Sequence, residues 1–372
     1  MAYRLFSRLP APHFSKVETS MPISLKLVAL IFCLSLFTSC SIFQKPASDT
    51  MLKSENFNTE TGRFHNSDGS ENKKSPGQLF KMAKAFLTRA KDPLEDKGFD
   101  TLSPADQPDS PTGRQVTWVG HSTLLVSING QHILTDPIFI GRASPFSFMG
   151  PKRAGKTPLA ITELPPIDAV IISHNHYDHL SIPSLKALNE LQPDIQYFVP
   201  LGLTDLLKKA GIIQITELDW WQSASHNNIE FTATPVHHWS SRRGFDRNET
   251  LWSGWMVKWP EFSFYFAGDT GYSSDFRETR KRLGAPDLAA IPIGAYNPRP
   301  FMKASHVNPE EAVQIFTDLM PKQAVAVHWG TFKLTLEPLQ EPPLRLTAAL
   351  RDAGIEETRF LALQHGQKLH LE

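Results

Sequence analysis

Residues 168–179 read Asp-Ala-Val-Ile-Ile-Ser-His-Asn-His-Tyr-Asp-His, and this stretch decides the fold. Its first half, DAVIIS, is apolar enough to be a buried strand. The second half follows with no spacer: His174, Asn175, His176, Tyr177, Asp178, His179. A loop leaving a buried strand has a rigid base and still reaches a cleft. His174 and His176 stand two apart, so in extended backbone both rings face one side and can bind one metal ion. Asp178 and His179 come after a turn and can face a second. Imidazole with carboxylate suits zinc, iron or manganese. At this chain's His and Asp frequencies, H-x-H-x-D-H arises by chance in on the order of one protein in a thousand, so a polar loop of ordinary histidines is set aside.

Four donors cannot complete two metal sites, so further ligands are expected at strand ends. Three places qualify. His237-His238-Trp239 follow a strand predicted at 230–235. Asp269 follows one at 262–267, in FAGDTGY, and His328 one at 324–327, in AVHWG. Core residues would not show this recurrence, because each buried polar group needs its own partner. His237 and His238 compete for one place. The only cysteines are Cys33 and Cys40, far from these segments, so a disulfide framework and a thiolate zinc site are excluded. Any metal must be held by carboxylates and by some of the 14 histidines.

Around these segments the texture from Arg114 onward is one of short apolar runs and turns. Strands are also predicted at 115–119, 122–127, 131–135, 169–173, 197–199, 251–259 and 288–293. Asn129-Gly130 is a strong hairpin signal. Helices are predicted at 182–190, 203–210, 309–319 and 343–352; Asn308 and Pro309 supply an N-cap and first-turn proline. Strands interleaved with helices point to an α/β fold of sheets covered by helices. The 372 residues, 41% apolar and 20% charged, suit a globular chain of one large domain or two. Lys plus Arg and Asp plus Glu both number 38, so the basic excess of a nucleic-acid binder is lacking and no nucleic-acid partner is expected. Trp220, Trp221, Trp252 and Trp255 are expected in the core rather than against lipid.

The N-terminus reads differently. The apolar run 27–37 is short for a membrane span and suits a signal sequence, with Lys26 before it. It ends in Phe37-Thr38-Ser39-Cys40, which resembles a bacterial lipobox despite Phe37 in place of leucine. Residues 1–39 are thus expected to be a signal peptide, with Cys40 lipidated and the chain anchored at the periplasmic face of a bacterial cell envelope. An uncleaved anchor, or a start at Met21, is the alternative. Residues 40–112 are expected to be a polar tether. Within it, 77–91 (GQLFKMAKAFLTRAK) has near-helical apolar spacing and reads as an amphipathic helix, packed on the domain rather than on a membrane. The main folded domain is placed at 113–372.

The motif order H-x-H-x-D-H, then His, then Asp in a Gly-Asp turn, then a late His, resembles the metallo-β-lactamase superfamily. That resemblance implies a four-layer αβ/βα sandwich with two divalent metal ions, zinc foremost, at one edge. It implies one site of His174, His176 and His238, a second of Asp178, His179 and His328, and Asp269 between them. His238 is preferred to His237 because an aromatic, Trp239, follows it. The segments TWVGHSTLLV, LTDPIF, RASPFSFMGPKR, FVPLG, ELDWW, LWSGW, DLAAIPIGAYNPRPFM and HVNPEEAV narrow the likeness. From about residue 114 to the end, with an echo at Arg63-Phe64-His65-Asn66, they resemble the N-acyl-phosphatidylethanolamine-hydrolysing phospholipase D family.

The likeness implies hydrolysis of the phosphate–ethanolamine ester of a phospholipid met at a membrane surface, giving an N-acylethanolamine and phosphatidic acid. Asp178 or Asp269 would orient the attacking water. Tyr177 and His306 match family positions near the substrate phosphate. His306 is also a candidate for assisting the leaving group, with a supporting or capping place before Pro309 as its equal alternative. His121, in VGHST, has a structural or a catalytic place. Ala304-Ser305 precede His306 where the family has a glutamine directly before the histidine, so a contact of that glutamine is lost or altered. His13, His65, His132, His226, His365 and His370 show no ligand context. Two other functions compete: a metallo-hydrolase of a lactone or small soluble phosphodiester, and a non-catalytic metal-binding envelope lipoprotein. A homodimer is left open.

Overall fold

A computed structural model describes residues 47–372. The expected signal peptide, Cys40 and His13 lie outside the described residues. The described chain opens on a helical turn at Asp49–Leu52, followed by two short strands, β1 (Phe57–Asn58) and β2 (Arg63–Phe64), paired antiparallel.

The Asn129-Gly130 signal holds. Asn129 has φ +52° and Gly130 φ +82°, the left-handed pair that a tight two-residue hairpin needs. This turn joins two strands of the first sheet, which contains β3 (Arg114–Gly120), β4 (Thr123–Ile128), β5 (Gln131–Thr135), β6 (Ala169–Ile171), β7 (Gln196–Pro200) and β8 (Ile215–Leu218). The second sheet contains β9 (Ser223–His226), β10 (Ile229–Thr234), β11 (Gly254–Trp259), β12 (Phe262–Phe266), β13 (Leu288–Pro292), β14 (Gln323–Val327) and β15 (Phe360–Leu361). A last strand, β16 (Lys368–His370), returns to pair with β3 at the edge of the first sheet. In each sheet one half is antiparallel and the other parallel: β5 to β8 in the first, β12 to β15 in the second.

The two sheets face each other. Trp118, Leu124, Val126, Ile133, Ile171 and Phe198 from the first share one core with Phe231, Trp255, Val257, Phe264 and Phe266 from the second. Phe198 stacks on Phe231 across the gap, ring centroids 3.9 Å apart. Removing either ring would cost about 3–5 kcal/mol. The alternate residues Leu125, Leu134, Val170 and Val199 point outward, with Leu185 and Leu188 in the same cluster. Both leucines come from a helix at Ile182–Leu191, capped by Ser181. Outside the second sheet, the helix Pro309–Leu319 packs on β13, flanked by Asp275–Leu283 and Glu341–Asp352. Helix, sheet, sheet, helix: this is the four-layer α/β sandwich. Strands covered on both faces read as near-continuous apolar runs, which is why most were legible. Trp220, Trp252 and Trp255 are buried, as expected, and Trp221 is partly buried against the same core.

Residues 47–112 depart from the tether reading. Phe57 and Phe64 enter the main core, Phe64 fully buried, and Phe64 N–H donates to Asn248 O. A few aromatic and amide side chains fix this stretch without any regular pattern. The predicted helix forms at Pro76–Thr88, but its packing differs from expectation: none of its residues is buried among the described residues, and Leu79, Phe80 and Leu87 are exposed. No helix among the described residues is long and apolar enough to cross a membrane.

Candidate metal centre

The donors lie just beyond strand ends. Asp136 follows β5, His174–His179 follow β6, His238 follows β10, Asp269 follows β12, His328 follows β14, and His121 sits in the β3–β4 turn. One close approach sets the geometry: a Cβ on Gly268 would lie 2.6 Å from Ser173 Cβ. Only glycine there lets the loop of Asp269 meet the loop of His174. His121, Asp136 and His328 have φ of +54°, +34° and +61°, a conformation that costs non-glycine residues about 1–3 kcal/mol each. It is held by His328 N–H to His121 O (3.0 Å) and His121 N–H to Thr331 Oγ1 (2.6 Å).

Two four-residue donor groups result, each with ligand atoms within 4.8 Å of one another: His174, His176, His238 and Asp269 in one, and His121, Asp178, His179 and His328 in the other; a third, of Asp269, His306 and His328, overlaps both. In the first, His176 Nδ1 is 2.7 Å from His174 Nε2 and 3.3 Å from His238 Nε2. In the second, Asp178 Oδ2 faces Nε2 of His121 (3.0 Å), His328 (3.3 Å) and His179 (3.4 Å). Asp269 lies between the groups. Its Oδ2 is 3.0 Å from His179 Nε2, 3.8 Å from His238 Nε2 and 3.9 Å from His174 Nε2, and its Oδ1 is 3.2 Å from His328 Nε2.

Several converging atoms, among them His179 Nε2, Asp269 Oδ1 and His306 Nδ1, are buried without a hydrogen-bond partner among the described residues. Buried polar atoms are normally paired, so such a cluster of imidazole nitrogens and carboxylate oxygens fits cations.

The electrostatics separate the groups. Burial, with the neighbouring histidines, drives His174 well below the ordinary imidazole value. Burial also lowers His176 and His238 to about 3. In the second group burial opposes charge, but Asp269 and Asp178 outweigh it, placing His179 well above its usual value and His328 at about 9. Burial likewise opposes ionisation of Asp178 and Asp269, and the charge of His179 overrides it, holding both carboxyls well below their usual range.

His238 enters the first group and His237 turns away: its Nδ1 bonds Ala304 O (2.7 Å) and its Nε2 faces Ser70 Oγ (3.0 Å) and Asp68 Oδ2 (3.2 Å). Adjacent residues in extended backbone point to opposite sides. His306 Nδ1 is 3.9 Å from Asp269 Oδ2, and its ring is 5.3 Å from that of His328. It does not cap the following helix, since Asn308 Oδ1 does so through Glu311 N–H. Tyr177 lies outside the donor groups, with the Arg242 guanidinium 4.0 Å over its ring. His65 and His132 make local bonds elsewhere, and His365 Nε2 meets Thr331 Oγ1 (2.9 Å), the acceptor of His121 N–H.

Sequence reasoning missed Asp136. It is fully buried and bonds His179 Nδ1 at 2.6 Å and Ser173 Oγ at 2.6 Å, and Ser173 Oγ also meets His174 Nδ1 at 2.9 Å. This turns Nε2 of both histidines toward the cluster. The signal was present, since Asp136 ends the strand predicted at 131–135. His121, read from the sequence as structural or catalytic, has its Nε2 3.0 Å from Asp178 Oδ2.

Comparison with known proteins agrees with this architecture. The Beta-lactamase superfamily domain matches residues 131–329. The chain is similar to the N-acyl-phosphatidylethanolamine-hydrolysing phospholipase D 1 of Caenorhabditis elegans, with 38% identity over 78% of this chain and 86% of that protein. It is also similar to the mitochondrial protein of the same description from Saccharomyces cerevisiae, at 35% identity over 71% of this chain but only 58% of that protein's length. The fold resembles the crystal structure of a possible metal-dependent hydrolase from Veillonella parvula, with TM-score 0.58, 18% identity, and coverage of 69% of this chain and 99% of that one. The chain is therefore a metal-dependent hydrolase of the metallo-β-lactamase superfamily and belongs, within it, to the N-acyl-phosphatidylethanolamine-hydrolysing phospholipase D family.

Proposed function

We propose that the chain is a two-metal phosphodiesterase that hydrolyses N-acyl-phosphatidylethanolamine to an N-acylethanolamine and phosphatidic acid. The observation that carries this reading is the extent of the likeness: 38% identity over 86% of a relative described by that activity, far more than a metal motif requires. The proposed ligands are His174, His176 and His238 for one ion, and Asp178, His179 and His328 for the other, with Asp269 shared; the two donor groups meeting at Asp269 support the sharing. Zinc is the proposed ion, in keeping with imidazole and carboxylate donors. Bound there, divalent cations supply charge to neutralise phosphate oxygens and lower the pKa of a water toward neutrality.

The chain's own groups do the rest. Asp178 and Asp269 carboxylate oxygens accept hydrogen bonds from the attacking water and orient it. Its oxygen bonds phosphorus, the bond to the ethanolamine oxygen breaks, and that oxygen takes up a proton. Burial lowers His306 to about 3, so its ring is neutral and offers one N–H to a phosphate oxygen or to the departing oxygen. Tyr177, with the Arg242 guanidinium over its ring, is proposed to contact the phosphate region. The substrate is met at a membrane surface, where the expected lipidation of Cys40 would hold the chain.

The test is turnover of N-acyl-phosphatidylethanolamine in mixed micelles by metal-loaded protein, read by mass spectrometry. N-acylethanolamine and phosphatidic acid are expected in equal amounts. Metal-replete protein that releases no phosphatidic acid sinks the reading.

A further inference from the structure

Residues 66–72 form a turn against the backbone of His238. Asn66 N–H donates to Ser70 O (2.9 Å) and Gly69 N–H to Asn66 O (2.8 Å), which closes the turn. The Asn66 side chain is fully buried. Its Oδ1 accepts from His238 N–H (2.9 Å) and from Trp252 Nε1–H (3.1 Å), while its Nδ2 donates to Ser70 O (3.1 Å). Asn72 is buried as well. Its Nδ2 donates to His238 O (3.1 Å) and to Ala304 O (2.9 Å).

Both backbone polar groups of His238 are thus held by side chains that lie 172 and 166 positions earlier in the chain. The ring is fixed from the same quarter. His238 Nδ1 bonds Ser305 O at 2.8 Å, next to the Ala304 carbonyl that Asn72 holds. With Nδ1 committed, Nε2 is the nitrogen turned to the donor group. An amide suits both places, because it offers acceptor and donors in one plane where an apolar side chain would offer neither. Ligand positions must be held within about half an ångström by the groups behind them.

We propose that Asn66 and Asn72 are positioning residues of the metal centre, which fix His238 so that residues 66–72 belong to the site as its ligand loops do. The proposal rests on the reading of His238 as a ligand, and the experiment separates the two. The full chain is stripped with chelator and titrated with zinc against a chromophoric competitor. The titration is repeated with cobalt, followed by visible absorption. His238→Ala identifies the ion that depends on His238. Asn66→Ala and Asn72→Ala are expected to weaken that same ion by about 10–100-fold, to alter its cobalt spectrum, and to leave the other ion unchanged.

Asn66 also contacts Trp252 in the core. Should Asn66→Ala fail to fold, Asn72→Ala, which lacks that contact, decides alone. Wild-type affinity for both ions in Asn72→Ala, or equal weakening of both, overturns the proposal while leaving His238 a ligand. No weakened ion in His238→Ala overturns the ligand assignment and the proposal together.

Discussion

The two donor groups meet at Asp269 and sit at the edge of one sandwich, yet their histidines are held by different means. In the first group His238 is fixed by a backbone carbonyl and by neutral amides from a distant segment, and burial keeps its ring uncharged. In the second, His179 is fixed by the buried carboxylate of Asp136, and His328 faces Asp178 and Asp269, which together favour charge on both rings. Carboxylate support raises a ligand's basicity, and carbonyl support mainly aims it. Asp136 and Asp269 are buried and Asp178 is partly so, and all three carboxylates face His179.

The residue common to both halves should matter most. Asp269→Ala removes the one carboxylate that reaches both groups. Turnover is expected to fall by on the order of 10²–10³ or more, as for loss of a preorganised charge-stabilising group. Ion content measured by mass spectrometry should fall in both halves. Loss confined to one ion would break the picture of a shared carboxylate. Asp136→Asn is the sharper probe of the difference. It keeps shape and removes charge, so the ion depending on His179, whose Nδ1 it bonds directly, should weaken about 10–100-fold, and the ion depending on His174, which it reaches only through Ser173 Oγ, should weaken less. Equal effects on both ions would mean that the two halves are supported alike.

Legibility followed periodicity. The site strands β6, β12, β13 and β14 are apolar on both faces, and their ends announced His174, Asp269 and His328. Asp136 obeys the same rule but stands between Thr135 and Pro137, without the flanking Gly or Trp of Asp269, His238 and His328. The helix Asp275–Leu283 was not foreseen: DFRETRKRL buries Phe276 and little else that is apolar, so no stripe is visible. β9, the polar SASH, was hidden for the same reason. The N-terminal region inverted the usual signal. Residues 57–72 show no pattern and are built into the site, because isolated side chains such as Phe64, Asn66 and Asn72 do the work there. The helix Pro76–Thr88 shows the pattern and leaves its apolar residues exposed. Hydrogen bonds between residues far apart in the chain leave no local trace.

The support of the second half extends one step further, to His365, and gives the smallest effect expected here. Thr331 Oγ1 donates to Trp329 O (3.2 Å) and accepts from His121 N–H, so the His365 Nε2 that meets it at 2.9 Å must carry a hydrogen. The ring is stacked among Trp118, Phe99 and Trp329, and burial, reinforced by Arg153, lowers its pKa to about 3. In the unfolded chain the same group titrates near about 6.5. Between these values the unfolded chain binds a proton that the folded one does not. The contribution of His365 is therefore complete above about pH 6.5 and is lost progressively as pH falls toward 3, at a slope approaching about 1.4 kcal/mol per pH unit. Gln has no such titration and keeps an N–H for Thr331. Denaturant unfolding of wild type and His365→Gln in chelator, from pH 8 to 4, should give curves that run parallel above about pH 6.5 and converge below it. Curves that stay parallel to pH 4 would show that His365 ionises alike in both states. The neutral, hydrogen-donating ring would then have no part in holding Thr331 against His121, and the asymmetry of the metal centre would end at Asp136.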